Sequence, residues 1–90
     1  MEHPTFLVEH YLPGRRLAEL ETFARKVCEV DAVRVLQATV VPEDESVLCV
    51  VASPSETAVR AAYQRAGIQF DRISPAIAHD QPRKGESDVH

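Results

Sequence analysis

The stretch VRVLQATVVPEDESVLCVVA, residues 33–52, predicts a β-hairpin in the middle of the chain, and the predicted fold is built around that hairpin. Two runs rich in β-branched residues, 33–41 and 46–52, flank the polar turn PEDE at residues 42–45. Apolar runs of this length around a short polar turn are typical of two paired strands. The remaining elements can be placed outward from this hairpin.

One strand and one helix are predicted on each side of the hairpin. Before it, residues 5–12 predict a strand, and residues 15–29 carry apolar side chains at helical spacing. That stripe consists of Leu17, Leu20, Phe23, Ala24 and Val27. After the hairpin, a helix ends at Gly67 and residues 69–78 predict a last strand, bent or at an edge because it contains Pro75.

The start of the second helix is predicted from its capping residues. Ser53 is the expected N-cap, Pro54 takes the first helical position, and Glu56 completes a capping box. The buried face of this helix is predicted to carry Val59, Ala62, Tyr63 and Ala66. The helix then faces the sheet through this stripe.

The order β-α-β-β-α-β predicts an α+β, ferredoxin-like fold with one four-stranded antiparallel sheet. Right-handed crossovers place both helices on the same face of that sheet. We expect one domain over residues 1–79, followed by a mobile polar tail over residues 80–90. In this order the first and third strands are central.

The third strand, residues 46–52, is apolar on both faces, which two helices on one face do not explain. Val47, Cys49 and Val51 alternate with Leu48, Val50 and Ala52. A second copy of the sheet would cover the face away from the helices, called here the open face. A chain of 90 residues also has a marginal core. We therefore predict a homodimer that packs sheet against sheet as an α/β barrel.

Side-chain alternation assigns the strand residues to the two faces, and we place the more uniformly apolar set on the helix side. That set is Phe6, Val8, Leu36, Ala38, Val40, Leu48, Val50 and Ala52. Glu9 then points to the open face and His10 to the helix side. A row Arg72, Glu9, Cys49, Gln37 crosses the open face, and a few polar groups on an apolar floor are typical of a ligand site.

The residues of this row also have structural explanations. Glu9 and Arg72 suit an ion pair at a dimer interface, and Cys49 suits a small buried thiol. His10 suits a polar residue at a strand end. Tyr63 packs on the helix stripe, although its hydroxyl needs a partner.

Composition argues against several classes of function. The formal net charge is −4 and the basic residues are scattered, which disfavours a nucleic-acid surface. The apolar runs are too short to span a membrane. Cys28 and Cys49 belong to no CxxC or CxxH pattern, so we expect reduced, unbonded thiols in a cytoplasmic protein without a signal peptide. Cys28 is expected in the core and Cys49 on the open face.

Three segments resemble a group of small bacterial proteins of largely unknown function. They are FLVEHYLPG at 6–14, VVPEDESVLCVVASPSETAVR at 40–60 and RAGIQFDRI at 65–73. One branch of that family is described as nickel-binding, with a ferredoxin-like fold dimerised as an α/β barrel. The resemblance implies nickel or another divalent transition metal as cofactor, for which Glu9, His10 and Cys49 are the available ligands.

The chain departs from the family pattern on the second helix. The family often has a histidine just before the basic RAG segment, whereas this chain has AAYQ at residues 61–64, with Tyr63 where the imidazole is expected. Loss of an imidazole removes a good ligand for nickel, copper or zinc. Metal binding is therefore an implication of the resemblance that this substitution weakens.

Three functions fit these observations. The preferred one is a homodimeric protein that binds a small ligand or a metal at the sheet face. The second is a cofactor-free enzyme, similar to monooxygenases or isomerases with this barrel, in which a desolvated Glu9 acts as base. The third is a structural interaction module, and the fold alone does not separate the three.

Overall fold

The computed structural model describes residues 3–77, and its elements follow the predicted β-α-β-β-α-β order. The strands are β1 (Thr5–Tyr11), β2 (Arg34–Val41), β3 (Ser46–Ala52) and β4 (Arg72–Ala76). The helices are α1 (Leu17–Cys28) and α2 (Glu56–Ala66), and a 3-10 turn at Pro42–Asp44 joins β2 to β3. The tail predicted for residues 80–90 lies outside the described residues. Within residues 3–77 no helix is long and apolar enough to cross a membrane.

The four strands form one antiparallel sheet in the order β2-β3-β1-β4, so β1 and β3 are central as predicted. Val8 of β1 lies opposite Cys49 of β3 and Ile73 of β4. The ladder between β2 and β3 shifts register between Val35 and Gln37, which marks a bulge. The ferredoxin-like fold is thereby confirmed.

Helix α2 begins later than its sequence predicts. The N-cap is Ser55, whose hydroxyl accepts a hydrogen bond from the Ala58 N–H at 3.1 Å. Ser53 instead donates its backbone N–H to the Pro4 carbonyl at 3.1 Å, so the chain is still bonded to the segment before β1 at that point. The predicted capping box of Ser53 and Glu56 is therefore wrong.

The core lies between the sheet and the two helices. It contains buried side chains from β1, β3, β4 and both helices, with partly buried side chains from β2 packed against them. Val8, Val27, Val47, Val51, Val59 and Tyr63 have no exposed surface. Leu20, Ala24 and Val27 form the buried stripe of α1, with Phe23 partly buried beside them, whereas Leu17, also predicted in this stripe, is 51% exposed. Cys28 is exposed, contrary to prediction, because it follows Val27 by one residue and is turned about 100° away around the helix.

The face assignment of β3 is also corrected by the structure. Val47, Cys49 and Val51 are fully buried under the helices, whereas Leu48, Val50 and Ala52 lie on the open face. Both sets are apolar, so the sequence pattern does not specify the register. Pairing with β1 decides it, because Cys49 lies opposite Val8.

The bulge in β2 alters one further assignment. Leu36 lies at the register shift and is 48% exposed, so it does not face the helices as expected. Ala38 and Val40 do pack on the core as predicted. The extra residue at the bulge breaks the simple alternation that the prediction assumed.

Candidate functional site

The open face of the sheet presents apolar side chains on its central strands and polar ones on both edge strands, with Glu9 on the central strand β1. Leu7 of β1 and the alternate residues of β3 are partly exposed there. The alternate residues of β3 are Leu48, Val50 and Ala52. Both helices pack on the other face, where the fully buried residues lie. The open face is thus the surface on which a ligand or a partner could bind.

Glu9 and Arg72 meet on this face because β1 and β4 pair with Glu9 opposite Arg72. The Arg72 Nε lies 3.8 Å from Glu9 Oε2, and their side chains are 72% and 36% exposed. The Arg72 Nε also donates to the Ser74 hydroxyl at 3.2 Å. An ion pair this exposed contributes little to stability, so both charges are available for other partners.

The predicted row across the open face is rearranged. Glu9 lies opposite Leu48, and Leu48 lies opposite Thr39. Gln37 is on the same face but one row further along, where its amide donates to the Thr39 hydroxyl at 3.2 Å. Glu9, Gln37 and Arg72 therefore share a face, and Cys49 does not.

The predicted metal ligands are also separated. Glu9 is on the open face, while His10 and Cys49 are buried on the helix side. Successive residues of a strand point to opposite faces, so Glu9 and His10 cannot bind one ion through their side chains. Among residues 3–77 there is no group of three or more His, Cys, Asp and Glu side chains that could hold a metal ion.

His10 lies in a buried aromatic cluster that sequence reasoning missed. Its ring is 4.9 Å from the Phe23 ring and 5.7 Å from the Tyr63 ring, both edge-on, and its exposed fraction is 1%. Nδ1 lies 2.7 Å from the Gln69 carbonyl oxygen. A carbonyl only accepts, so Nδ1 carries the hydrogen and donates it. The parity that His10 shares with Phe6 and Val8 placed it correctly on the helix side, but its contacts with Phe23 and Tyr63 were not predicted.

Burial controls the protonation of the titratable groups in and near this cluster. It lowers the pKa of His10, because the charged imidazolium would lose its hydration, although the Gln69 carbonyl and the Asp71 charge partly oppose this effect. Burial raises the pKa of the Cys49 thiol to about 12, and the nearby Cys28 adds to the effect. It also raises the pKa of Tyr63. All three groups are therefore neutral near pH 7, and Cys49 is a poor nucleophile.

Comparison with known proteins identifies the family. The family model described as nickel responsive protein SCO4226-like matches residues 6–75. The chain belongs to the SCO4226-like family. This membership confirms the resemblance seen in the sequence segments. A comparison with curated proteins found no significant match.

The fold of this SCO4226-like chain is similar to the crystal structure of SCO4226 from Streptomyces coelicolor A3(2). The TM-score is 0.67 at 24% sequence identity, and the match covers 84% of this chain and 99% of that chain. Similarity at this level of identity shows a common fold.

Proposed function

We propose that this protein is a homodimeric binding protein, in which the open faces of two sheets pack together and enclose a small ligand beside Glu9 and Arg72. The observation that supports the proposal is the open face itself. It combines an apolar centre with a charged pair at one side. Apolar walls with a few placed polar groups are the usual composition of a small-molecule site.

Association is the first step of this proposal. The open face presents an apolar surface in the described part of the chain, and Tyr11 adds a side chain that is 55% exposed. Contiguous apolar surface of this kind marks an interaction site. A second copy offers the same surface, and a two-fold interface joins identical patches. Sheet-on-sheet packing would then bury the alternate residues of β3.

Ligand binding is the second step. Packing of two sheets would remove water from Glu9 and Arg72, which strengthens each interaction that they make. Arg72 contributes a guanidinium suited to carboxylate or other oxyanion groups, and Glu9 accepts hydrogen bonds. Gln37 offers an amide one row away. The expected ligand is a small organic molecule with a polar group and an apolar part.

Nickel is the second candidate ligand, because the family model is described as nickel responsive. The residues of one protomer do not suit it, since Glu9 is separated from His10 and Cys49 and stands beside the positive charge of Arg72. A nickel ion on the open face would need ligands from two copies of the chain. Carboxylates alone are less suited to nickel than imidazoles. We therefore rank an organic ligand above nickel.

Native mass spectrometry of the full, untagged chain tests dimerisation and binding together. The expected spectrum shows a dimer that retains a small molecule or binds added Ni²⁺. Glu9→Gln should reduce that binding without loss of folded structure, whereas Glu43→Gln, which changes an exposed carboxylate in the β2–β3 turn, should not. A monomer at micromolar concentration would contradict the proposal. A dimer that binds neither would favour the interaction module.

The enzyme alternative makes a different demand on the same residue. If Glu9 is a catalytic base, the protein should turn over a substrate, and Glu9→Gln should abolish that turnover while the ligand is still retained. The pair with Arg72, at 3.8 Å, suits a residue that binds or orients a ligand. Loss of retention in Glu9→Gln would thus favour the binding protein.

A further inference from the structure

Two buried polar atoms, which belong to neighbouring aromatic rings, have no hydrogen-bond partner among residues 3–77. They are Nε2 of His10 and the hydroxyl oxygen of Tyr63. Their side chains belong to β1 and α2, and their exposed fractions are 1% and 0%. Buried polar groups in proteins almost always have a partner, so each unpaired group requires an explanation.

The two atoms have complementary hydrogen-bonding roles. Nδ1 of His10 donates its hydrogen to the Gln69 carbonyl at 2.7 Å, so Nε2 of the neutral ring carries a lone pair and can only accept. The hydroxyl of Tyr63 keeps its hydrogen and can donate it. One is therefore an acceptor in need of a donor, and the other is a donor in need of an acceptor.

The two rings are neighbours in one aromatic cluster, and their polar atoms make no direct hydrogen bond with each other. The His10 and Tyr63 rings are 5.7 Å apart at an interplanar angle of 64°. Phe23 packs 4.9 Å from His10, and Phe70 packs 6.0 Å from Tyr63. Aromatic contacts on both sides constrain the ring planes, and the two polar atoms belong to neighbouring rings of one apolar cluster.

We propose that His10 and Tyr63 form an internal binding site for one water molecule. The water accepts the Tyr63 hydroxyl hydrogen and donates one of its own hydrogens to Nε2 of His10. A molecule that donates and accepts at once satisfies both atoms, and water is the smallest such molecule. The site lies on the helix side of the sheet and is independent of the open face and its ligand.

Replacement of Tyr63 by Phe gives opposite results for a bridged and an unbridged hydroxyl. If the hydroxyl is bonded to water, Tyr63→Phe removes a buried hydrogen bond and leaves polar atoms unpaired, so Tm should fall by about 4–8 °C. If it is unpaired, the same change removes a buried unsatisfied donor, and Tm should stay constant or rise. Tyr11→Phe is the matched control, because Tyr11 is 55% exposed.

A crystal structure of the unmodified full chain at high resolution decides what the partner is. The expected result is a water peak within hydrogen-bond distance of both Nε2 and the Tyr63 hydroxyl. A direct hydrogen bond between the two side chains would overturn the proposal, and so would density that shows no water there. Constant or raised Tm in Tyr63→Phe, with Tyr11→Phe unchanged, would also overturn it.

Discussion

At the scale of single residues, the consecutive residues Glu9 and His10 point to opposite faces of the sheet, so their side chains lie in different environments. Glu9 stands on the open face beside Arg72, where water reaches it. His10 is enclosed by Phe23 and Tyr63 and bonded to the loop between α2 and β4 through Gln69. The first is suited to binding at a surface, and the second couples β1 to the core.

The buried His10 should make stability depend on pH in a defined window. Its ordinary pKa is 6.5, and burial lowers that value in the folded state, so the unfolded chain binds the proton more readily below pH 6.5. Stability is therefore highest above that pH and is lost as the pH falls toward the lowered pKa of His10. The loss is at most about 1.4 kcal/mol per pH unit from this group.

Urea unfolding at several pH values measures this effect. His10→Leu should flatten the dependence just below pH 6.5, whatever its effect on stability at neutral pH. His3→Gln is the control, because His3 is exposed and its replacement should leave the dependence unchanged. An unchanged slope in His10→Leu would contradict the assigned role of His10.

At the scale of elements, the two helices begin where local hydrogen bonds satisfy their free N–H groups. In α1 the Glu19 carboxylate accepts the Arg16 N–H at 2.8 Å. In α2 the Ser55 hydroxyl does the same for Ala58, and Gly67 ends the helix with a φ of 72°. That left-handed conformation is one that glycine adopts without strain, as its place in the sequence predicted.

Removal of the α2 cap should destabilise the fold by an amount typical of N-caps. Ser55→Ala is expected to cost about 1 kcal/mol, since the Ala58 N–H loses its partner. Ser53→Ala should cost less, because its hydroxyl makes only a long contact of 3.4 Å with the Ser55 carbonyl. Thermal unfolding of both variants provides the measurement. A larger loss in Ser53→Ala would restore Ser53 as the cap.

At the scale of the whole molecule, the sheet has one face filled by helices and one left open. Cys49, Val47 and Val51 complete the core, and the alternate residues of β3 face outward. The centre of the open face is therefore apolar, as is typical of a sheet face that packs against another layer of structure. This is the surface that the proposed dimer would bury.

A charge placed at the centre of the open face should separate the proposed dimer. In Leu48→Lys the long side chain can reach water in a monomer, so the fold is retained while sheet-on-sheet packing is lost. Leu17→Lys is the control, because Leu17 is 51% exposed on α1. Sedimentation equilibrium with circular dichroism distinguishes the two. A Leu48→Lys protein with the same mass in solution as the unmodified protein would contradict the interface.

The sequence by itself determined the order of elements and hence the fold. Hydrophobic periodicity, the PEDE turn and Gly67 act over a few residues, so they can be interpreted without knowledge of distant contacts. Strand β3 was predicted with its observed bounds, and β1 was correctly assigned with Glu9 outward and His10 inward. The alternation of side chains in β1 was sufficient to assign its two faces, because the two faces differ in composition.

The faces of β3 and the composition of the candidate site depend on contacts between elements, which the sequence pattern did not specify. Both sides of β3 are apolar, so its register came from pairing with β1, which placed Cys49 under the helices and Leu48 beside Glu9. The meeting of His10 with Tyr63 likewise depends on how α2 packs against the sheet. Such contacts join residues that are far apart in the chain, and a local sequence pattern does not specify which of these residues meet in the folded protein.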